Sequence, residues 1–90
     1  MIISDAEIGK RITEKRREKG MSQEKLADLT NSSQGLIAKI ETGKRKIQID
    51  LLVLVADALD TDCDYLLRGV STKHLQISEA TGLSEQAIAR

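Results

Sequence analysis

Ile8 and Ile12 lie four residues apart, and Lys10, Arg11, Lys15, Arg16, Arg17 and Lys19 crowd the positions around them. That is the 3.6-residue period of an amphipathic helix, predicted over residues 5–19. Ser4 is placed as its N-cap with Glu7 three residues later, the spacing of a capping box, and Gly20 supplies the stop. Ser22 opens a second helix over 23–29, with apolar Leu26, Ala27 and Leu29. Thr30, Asn31 and Ser32 break it. Asn tolerates the left-handed conformation that otherwise calls for glycine, so Asn31 predicts the sharp turn. Ser33 caps a third helix over about 33–41, with Ile37 and Ile40 facing inward and Gly43 closing it.

The basic run Lys44-Arg45-Lys46 forms a loop before a fourth helix over 50–59. Leu51, Leu52, Leu54, Val55, Ala58 and Leu59 make that helix apolar nearly all round, which predicts a central buried element. Asp62 caps a short fifth helix ending at Leu67, and Gly69 stops it. Residues 70–74 read as a linker. The remaining stretch echoes an earlier one: at an offset of 51 residues, positions 26–33 fall on 77–84 and Ile37 falls on Ile88. It predicts two short tail helices, 75–81 and 85–90, with Gly82 at the turn and Ser84 as cap. The organisation expected is therefore an all-α domain at 1–69 and a short helical tail at 70–90, an extension for dimerisation or partner binding.

Composition narrows the class. The chain has 90 residues, no proline and a single aromatic residue, Tyr65. Strands favour aromatic and β-branched residues, whereas Leu, Ala, Lys, Glu and Arg favour helix, so the fold is all-α. No apolar run approaches the roughly 20 residues that span a bilayer, and the start is too short and too acidic for a secretion signal. Cys63 is the only cysteine, which excludes an internal disulfide and a CxxC metal pair. These features point to a cytoplasmic protein without metal or cofactor. Cys63 and Tyr65 read as core residues, and His74 stands alone in the linker. No nucleophile–base set, carboxylate pair or phosphate-binding glycine loop can be assembled, so no enzymatic activity is expected.

Net charge is zero, but its distribution is uneven. Residues 1–46 hold eleven Lys/Arg against seven Asp/Glu, a balance of +4; residues 47–90 hold three against seven, a balance of −4. Such asymmetry is a cue for a nucleic-acid face on the basic side of a neutral scaffold.

Two short helices joined by a tight turn make a helix-turn-helix. Ala27 sits where the two helices cross, and Ile37 with Ile40 pins the second one down. Gln34, Gly35, Leu36, Ala38 and Lys39 are left on the outer side. A helix so presented fits the B-DNA major groove, about 12 Å wide; Gln pairs bidentately with adenine, Lys donates to guanine acceptors, and Leu36 can meet a thymine methyl. Gly35 costs roughly 1 kcal/mol of helix propensity relative to Ala, and its return is close approach to DNA.

At this point the chain resembles the lambda-repressor-like (Cro/repressor-type) helix-turn-helix regulators. The residues that carry the resemblance are Ile8-Gly9-Lys10-Arg11-Ile12, Arg16, Gly20, Met21-Ser22-Gln23-Glu24-Lys25-Leu26-Ala27, Ser33 and the run from Ile37 to Arg45. Leu51-Leu52, the run from Ala56 to Leu59 and Asp64-Tyr65-Leu66-Leu67-Arg68-Gly69 complete it. It implies five helices with the third in the major groove, base-reading positions at Gln34, Gly35 and Lys39, with Leu36 beside them, and double-stranded DNA as partner. Phosphate contacts are implied for Gln23, Ser33, Thr42, Lys44 and Lys46, with Arg11, Ser22 and Arg45 in a second rank. A structural ion pair is implied between Arg16 and Glu41. The chain departs from the family pattern in three places: Asn31 replaces the usual turn glycine, Ser32 replaces a valine, and Gly35-Leu36 is less polar than a typical reading pair.

The function expected is a transcription regulator of the repressor kind, binding a near-palindromic operator as a homodimer, because one helix reads only a few base pairs. The resemblance points to Leu66, Leu67, Val70, Leu75, Ile77, Leu83 and Ile88 as the dimer face. The other reading is an antitoxin-like or co-activator-like interaction adaptor of the same fold, favoured by Leu36 on the outer side and by the apolar tail.

Overall fold

The computed structural model describes residues 3–70. The tail helices expected at 75–81 and 85–90, and with them Leu75, Ile77, Leu83 and Ile88, lie outside the described residues. Five helices follow one another: α1 (Asp5–Glu18), α2 (Gln23–Leu29), α3 (Gln34–Glu41), α4 (Ile49–Ala58) and α5 (Cys63–Arg68). Among the described residues there is no strand, and no helix is long and apolar enough to cross a membrane.

Their ends obey local chemistry. Ser4, Ser22, Ser33 and Asp62 each accept a hydrogen bond from the backbone N–H three residues on, which satisfies one of the donors a helix start leaves orphaned. The stops share one device. Gly20, Asn31, Gly43 and Asp60 all take positive φ, and the next residue's N–H reaches back five positions, as Ser32 does to the Ala27 carbonyl at 2.9 Å. This is the Schellman closure. Asp60 does the work of a glycine there, which its residue type did not announce.

The core is one cluster. Ile8 and Ile12 of α1, Leu26 and Ala27 of α2, Ile37 and Ile40 of α3, Leu52, Val55 and Ala56 of α4, Leu59, and Leu66 of α5 are all buried. α1 packs on α3 and α5, α2 packs on α3 and α4, and α4 also packs on α5. Burying a Leu or Ile side chain contributes roughly 1.5–3 kcal/mol before the entropy of ordering is set against it. The cluster is thus the main source of stability for this small domain.

α4 corrects the sequence reading. It is not buried all round: Leu52, Val55 and Ala56 face the core, while Ile49 is 79% exposed and Val53 and Leu54 also reach solvent. Because α4 packs chiefly on α2 and α5, one stripe of a ten-residue helix is covered and the opposite stripe is not.

The close fit of α1 against α3 depends on Gly9. A Cβ there would run into the carbonyl oxygens of Ile40 and Glu41. A mid-helix glycine lowers helix propensity, and here the return is direct contact between the α1 backbone and the end of α3.

Candidate nucleic-acid interface

α3 is held from behind. Ile37 and Ile40 are 1% and 2% exposed, and Glu41 is buried beside them. Gln34, Gly35 and Lys39 stand in solvent on the other side, with Ala38 partly covered between them. A Cβ built on Gly35 would meet nothing within 4 Å, so no contact inside the molecule requires glycine there.

Leu36 departs from its expected place. It is half-buried against the core, on the flank of α3, where it shares a shallow groove with Thr30, Ser32, Gln48, Leu51 and Leu54. The turn before it is tied by polar bonds where an apolar anchor is missing. The buried Thr30 hydroxyl donates to the Leu26 carbonyl at 2.8 Å, and the Ser32 hydroxyl lies 2.8 Å from Thr30 Oγ1. With the Thr30 proton spent on the carbonyl, Ser32 is the donor of that pair. Ser32 therefore stabilises the turn through a hydrogen bond.

One hydrogen-bonded chain links the scaffold to the outer face. Arg16 grips Glu41 with two nitrogens, Nε to Oε2 at 2.7 Å and Nη2 to Oε1 at 3.1 Å. A third, Nη1, donates to the Met21 carbonyl at 2.8 Å. Gln23 Nε2 donates to Glu41 Oε1 at 2.9 Å, and Gln34 Nε2 donates to Gln23 Oε1 at 2.7 Å. Burial alone would raise the Glu41 carboxyl. Hydrogen bonds from Arg16 and Gln23 and the Arg16 charge outweigh it and hold the group below its ordinary value. Ser22, Gln23 and Gln34 thus meet in one shallow depression, rimmed by Arg16 and by Glu24, an acidic neighbour that sequence reasoning passed over.

The remaining expected phosphate contacts fall into two groups. Lys44, Arg45 and Lys46 are exposed in the loop after α3, and the Ser22 and Ser33 hydroxyls cap their helices while remaining at the surface. Thr42 is also exposed, but its hydroxyl is hydrogen-bonded to the Ala38 and Lys39 carbonyls, each at 3.1 Å. Arg11 is otherwise engaged. Its Nη1 donates to the Leu66 and Leu67 carbonyls at 3.1 and 3.0 Å, and Glu7 lies 3.8 Å away. A cation at the carbonyl end of a helix satisfies orphaned acceptors and complements the helix dipole, so Arg11 fastens α5 to α1 and is not displayed as a free phosphate contact. Lys15 is similarly occupied, 4.9 Å above the Tyr65 ring centroid. The excess positive charge of residues 1–46 is therefore partly structural.

Among the dimer candidates, Leu66 is fully buried and belongs to the core, a correction that follows from its place on the inner side of α5. Leu67 is half-buried and Val70 is exposed. Cys63 packs against the core as expected. Among the described residues no group of His, Cys, Asp and Glu is arranged to hold a metal ion.

The fold and its outward-facing third helix define a helix-turn-helix DNA-binding class of protein. The helix-turn-helix family model matches residues 12–66, and the chain belongs to that family, among the lambda-repressor-like transcription regulators. An uncharacterized HTH-type transcriptional regulator of Rickettsia conorii is 36% identical over 66 residues, covering 73% of this chain and 53% of that protein. The chain thus spans about half the length of that relative. The crystal structure of the P22 c2 repressor with a synthetic operator superposes with a TM-score of 0.68 at 27% identity, covering 70% of this chain and 96% of the other. SinR, a master regulator of biofilm formation solved in complex with DNA, gives 0.63 at 32% identity, covering 66% and 95%.

Proposed function

We propose that the chain reads a specific double-stranded DNA site by laying α3 in the major groove, with Gln34 and Lys39 contacting base edges and Gly35 allowing close approach. The observation that carries this reading is the one-sided presentation of α3, pinned from behind by Ile37, Ile40 and the Arg16–Glu41 pair, with Gln34 and Lys39 in solvent. Lys44, Arg45 and Lys46, with Ser22, Ser33 and the remaining N–H of Gln23, supply the phosphate contacts that fix register. Leu36 stands at the flank, beside the reading positions. The P22 c2 repressor bound to its synthetic operator and SinR bound to DNA support the same use of the fold.

A single α3 reads only a few base pairs, so the active form is a homodimer on a near-palindromic operator with half-sites about one helical turn apart. The regulation is repression. Leu67 and Val70, with the tail beyond them, form the dimer face. Selection of bound sequences from random duplex DNA tests this directly. A two-fold related consensus, bound by two chains and weakened steeply by salt as counterions are released, is the expected result. A single chain per site, or binding without sequence preference, would turn the reading toward an adaptor that uses this fold to hold a protein partner.

A further inference from the structure

We infer that Arg11 is a positioning residue of the dimer: it ties the end of α5 to α1 and thereby sets the angle and separation at which two reading helices are offered to DNA. The inference rests on the proposal that Leu67, Val70 and the tail beyond them form the dimer face. α5 has only six residues, too few to hold its own shape without packing, and the last carbonyls of a helix lack partners within it. Here they are taken up in turn. The Gly69 N–H closes on the Tyr65 carbonyl at 2.7 Å, and Arg11 Nη1 spans the next two, Leu66 and Leu67, at 3.1 and 3.0 Å. Gly69, at φ 80°, sits close against the same guanidinium: a Cβ there would stand 3.2–3.4 Å from its Nε, Nη2 and Cζ. A rigid planar fork in contact with these successive peptide units fixes both the roll of α5 about its axis and the direction in which the chain leaves at Val70.

Two observations tie this clamp to the dimer and not to the fold of one subunit. Leu66 is fully buried and anchors α5 in the core by itself, so what Arg11 adds is the orientation of the outward residues. Those are apolar: Leu67 lines a groove with Ile3, Ile47 and Ile49, and Val70 is 44% exposed. The second observation is that α1 carries both attachments. Gly9 seats α1 directly on the Ile40 and Glu41 carbonyls at the end of α3, and Arg11, two residues on, holds the end of α5. The reading helix and the dimer face are thus joined through a single turn of α1. In a two-fold assembly the same join recurs in both halves, so it sets the spacing of half-sites that the pair can span.

The test uses the full chain, a duplex with one half-site, and duplexes with two half-sites at the selected spacing or shifted one base pair closer or further apart. The wild-type dimer is expected to prefer the selected spacing on the order of tenfold. Arg11→Met keeps the aliphatic stem and removes the guanidinium. It is expected to lose that preference and to dimerise more weakly in sedimentation, while its affinity for the single half-site and its salt slope stay those of the wild type. An arginine that only stabilises the fold would lower the melting temperature and leave the spacing preference intact, which overturns the inference. A fall in half-site affinity with the salt slope reduced by about 0.9 makes Arg11 a phosphate contact and also overturns it. Gly69→Ala disturbs the same contact from the other side with Arg11 and its charge retained, and is expected to follow Arg11→Met; should Arg11→Met unfold, Gly69→Ala decides the matter by the same ratio of affinities. A wild-type protein that binds as one chain refutes the dimer reading itself, whereas a wild-type dimer whose spacing preference survives both variants refutes only the role of Arg11.

Discussion

Arg16 on α1 and Glu41 at the end of α3 form a bidentate pair, 2.7 and 3.1 Å across, with their side chains 11% and 4% exposed. Taking one partner away strands the other. Glu41→Leu alone is expected to destabilise the domain by about 3–5 kcal/mol, while Arg16→Met with Glu41→Leu is expected to be near neutral or stabilising. Urea titrations of the two variants give the comparison. A single variant as stable as the wild type would mean that Arg16 finds another partner.

The same pair fixes a pH dependence. The folded-state pKa of Glu41 lies below its ordinary value of 4.5, so the folded state favours the ionised form. The contribution is fully present above that ordinary value and is lost as pH falls through the lower folded value. Stability measured between pH 3 and 6 should therefore drop at the acid end, and the drop attributable to Glu41 should vanish in the double variant.

Gly9 predicts a steric effect. Gly9→Ala gains helix propensity, yet its methyl would collide with the Ile40 and Glu41 carbonyls, which cannot swing aside as a flexible side chain would. The collision wins. A net loss of about 1–3 kcal/mol is expected, the usual range for overpacking, visible as a lower melting temperature.

Gly35 predicts the opposite sign on the same measurement. Its surroundings are open, so Gly35→Ala should stabilise the free protein by about 0.5–1 kcal/mol. If the glycine serves close approach to DNA, the same variant binds the selected site more weakly. Stabilisation with unchanged affinity would leave the glycine without a role at the interface.

Lys44 and Lys46 are expected to act through phosphates. Lys44→Ala and Lys46→Ala should each weaken binding equally across sequences and reduce the slope of log affinity against log salt by about 0.9. A change in base preference would assign the residue to readout instead.

Much of this architecture was legible because it is locally determined. Helix starts at Ser4, Ser22, Ser33 and Asp62 announce themselves by residue type, and so do the stops at Gly20, Asn31 and Gly43. The inward register of Ile37 and Ile40 follows from spacing alone, and it leaves Gln34 and Lys39 outside. What was misjudged depended on neighbours distant in sequence. Whether Arg11 faces DNA or the end of α5 is settled by a bond across 55 residues. Leu66 as core, Leu36 as flank and the exposed stripe of α4 depend equally on which helix covers which face. Composition made α4 look buried, but only packing decides how much of an apolar helix is covered. The Gln23–Gln34 bond joins two residues whose types were legible and whose partnership was not.

The one-sided mounting of α3 has a consequence for how this protein can change over time. Its inward residues, Ile37, Ile40 and Glu41, hold the helix in place, and its outward ones at 35 and 39 hold almost nothing inside the molecule. Substitutions at those two positions are therefore nearly free of folding cost, and new target preferences can be explored there without first acquiring spare stability. Position 34 is the exception. Because Gln34 is bonded to Gln23, a lineage that changes one must accommodate the other, and the two are expected to drift as a pair.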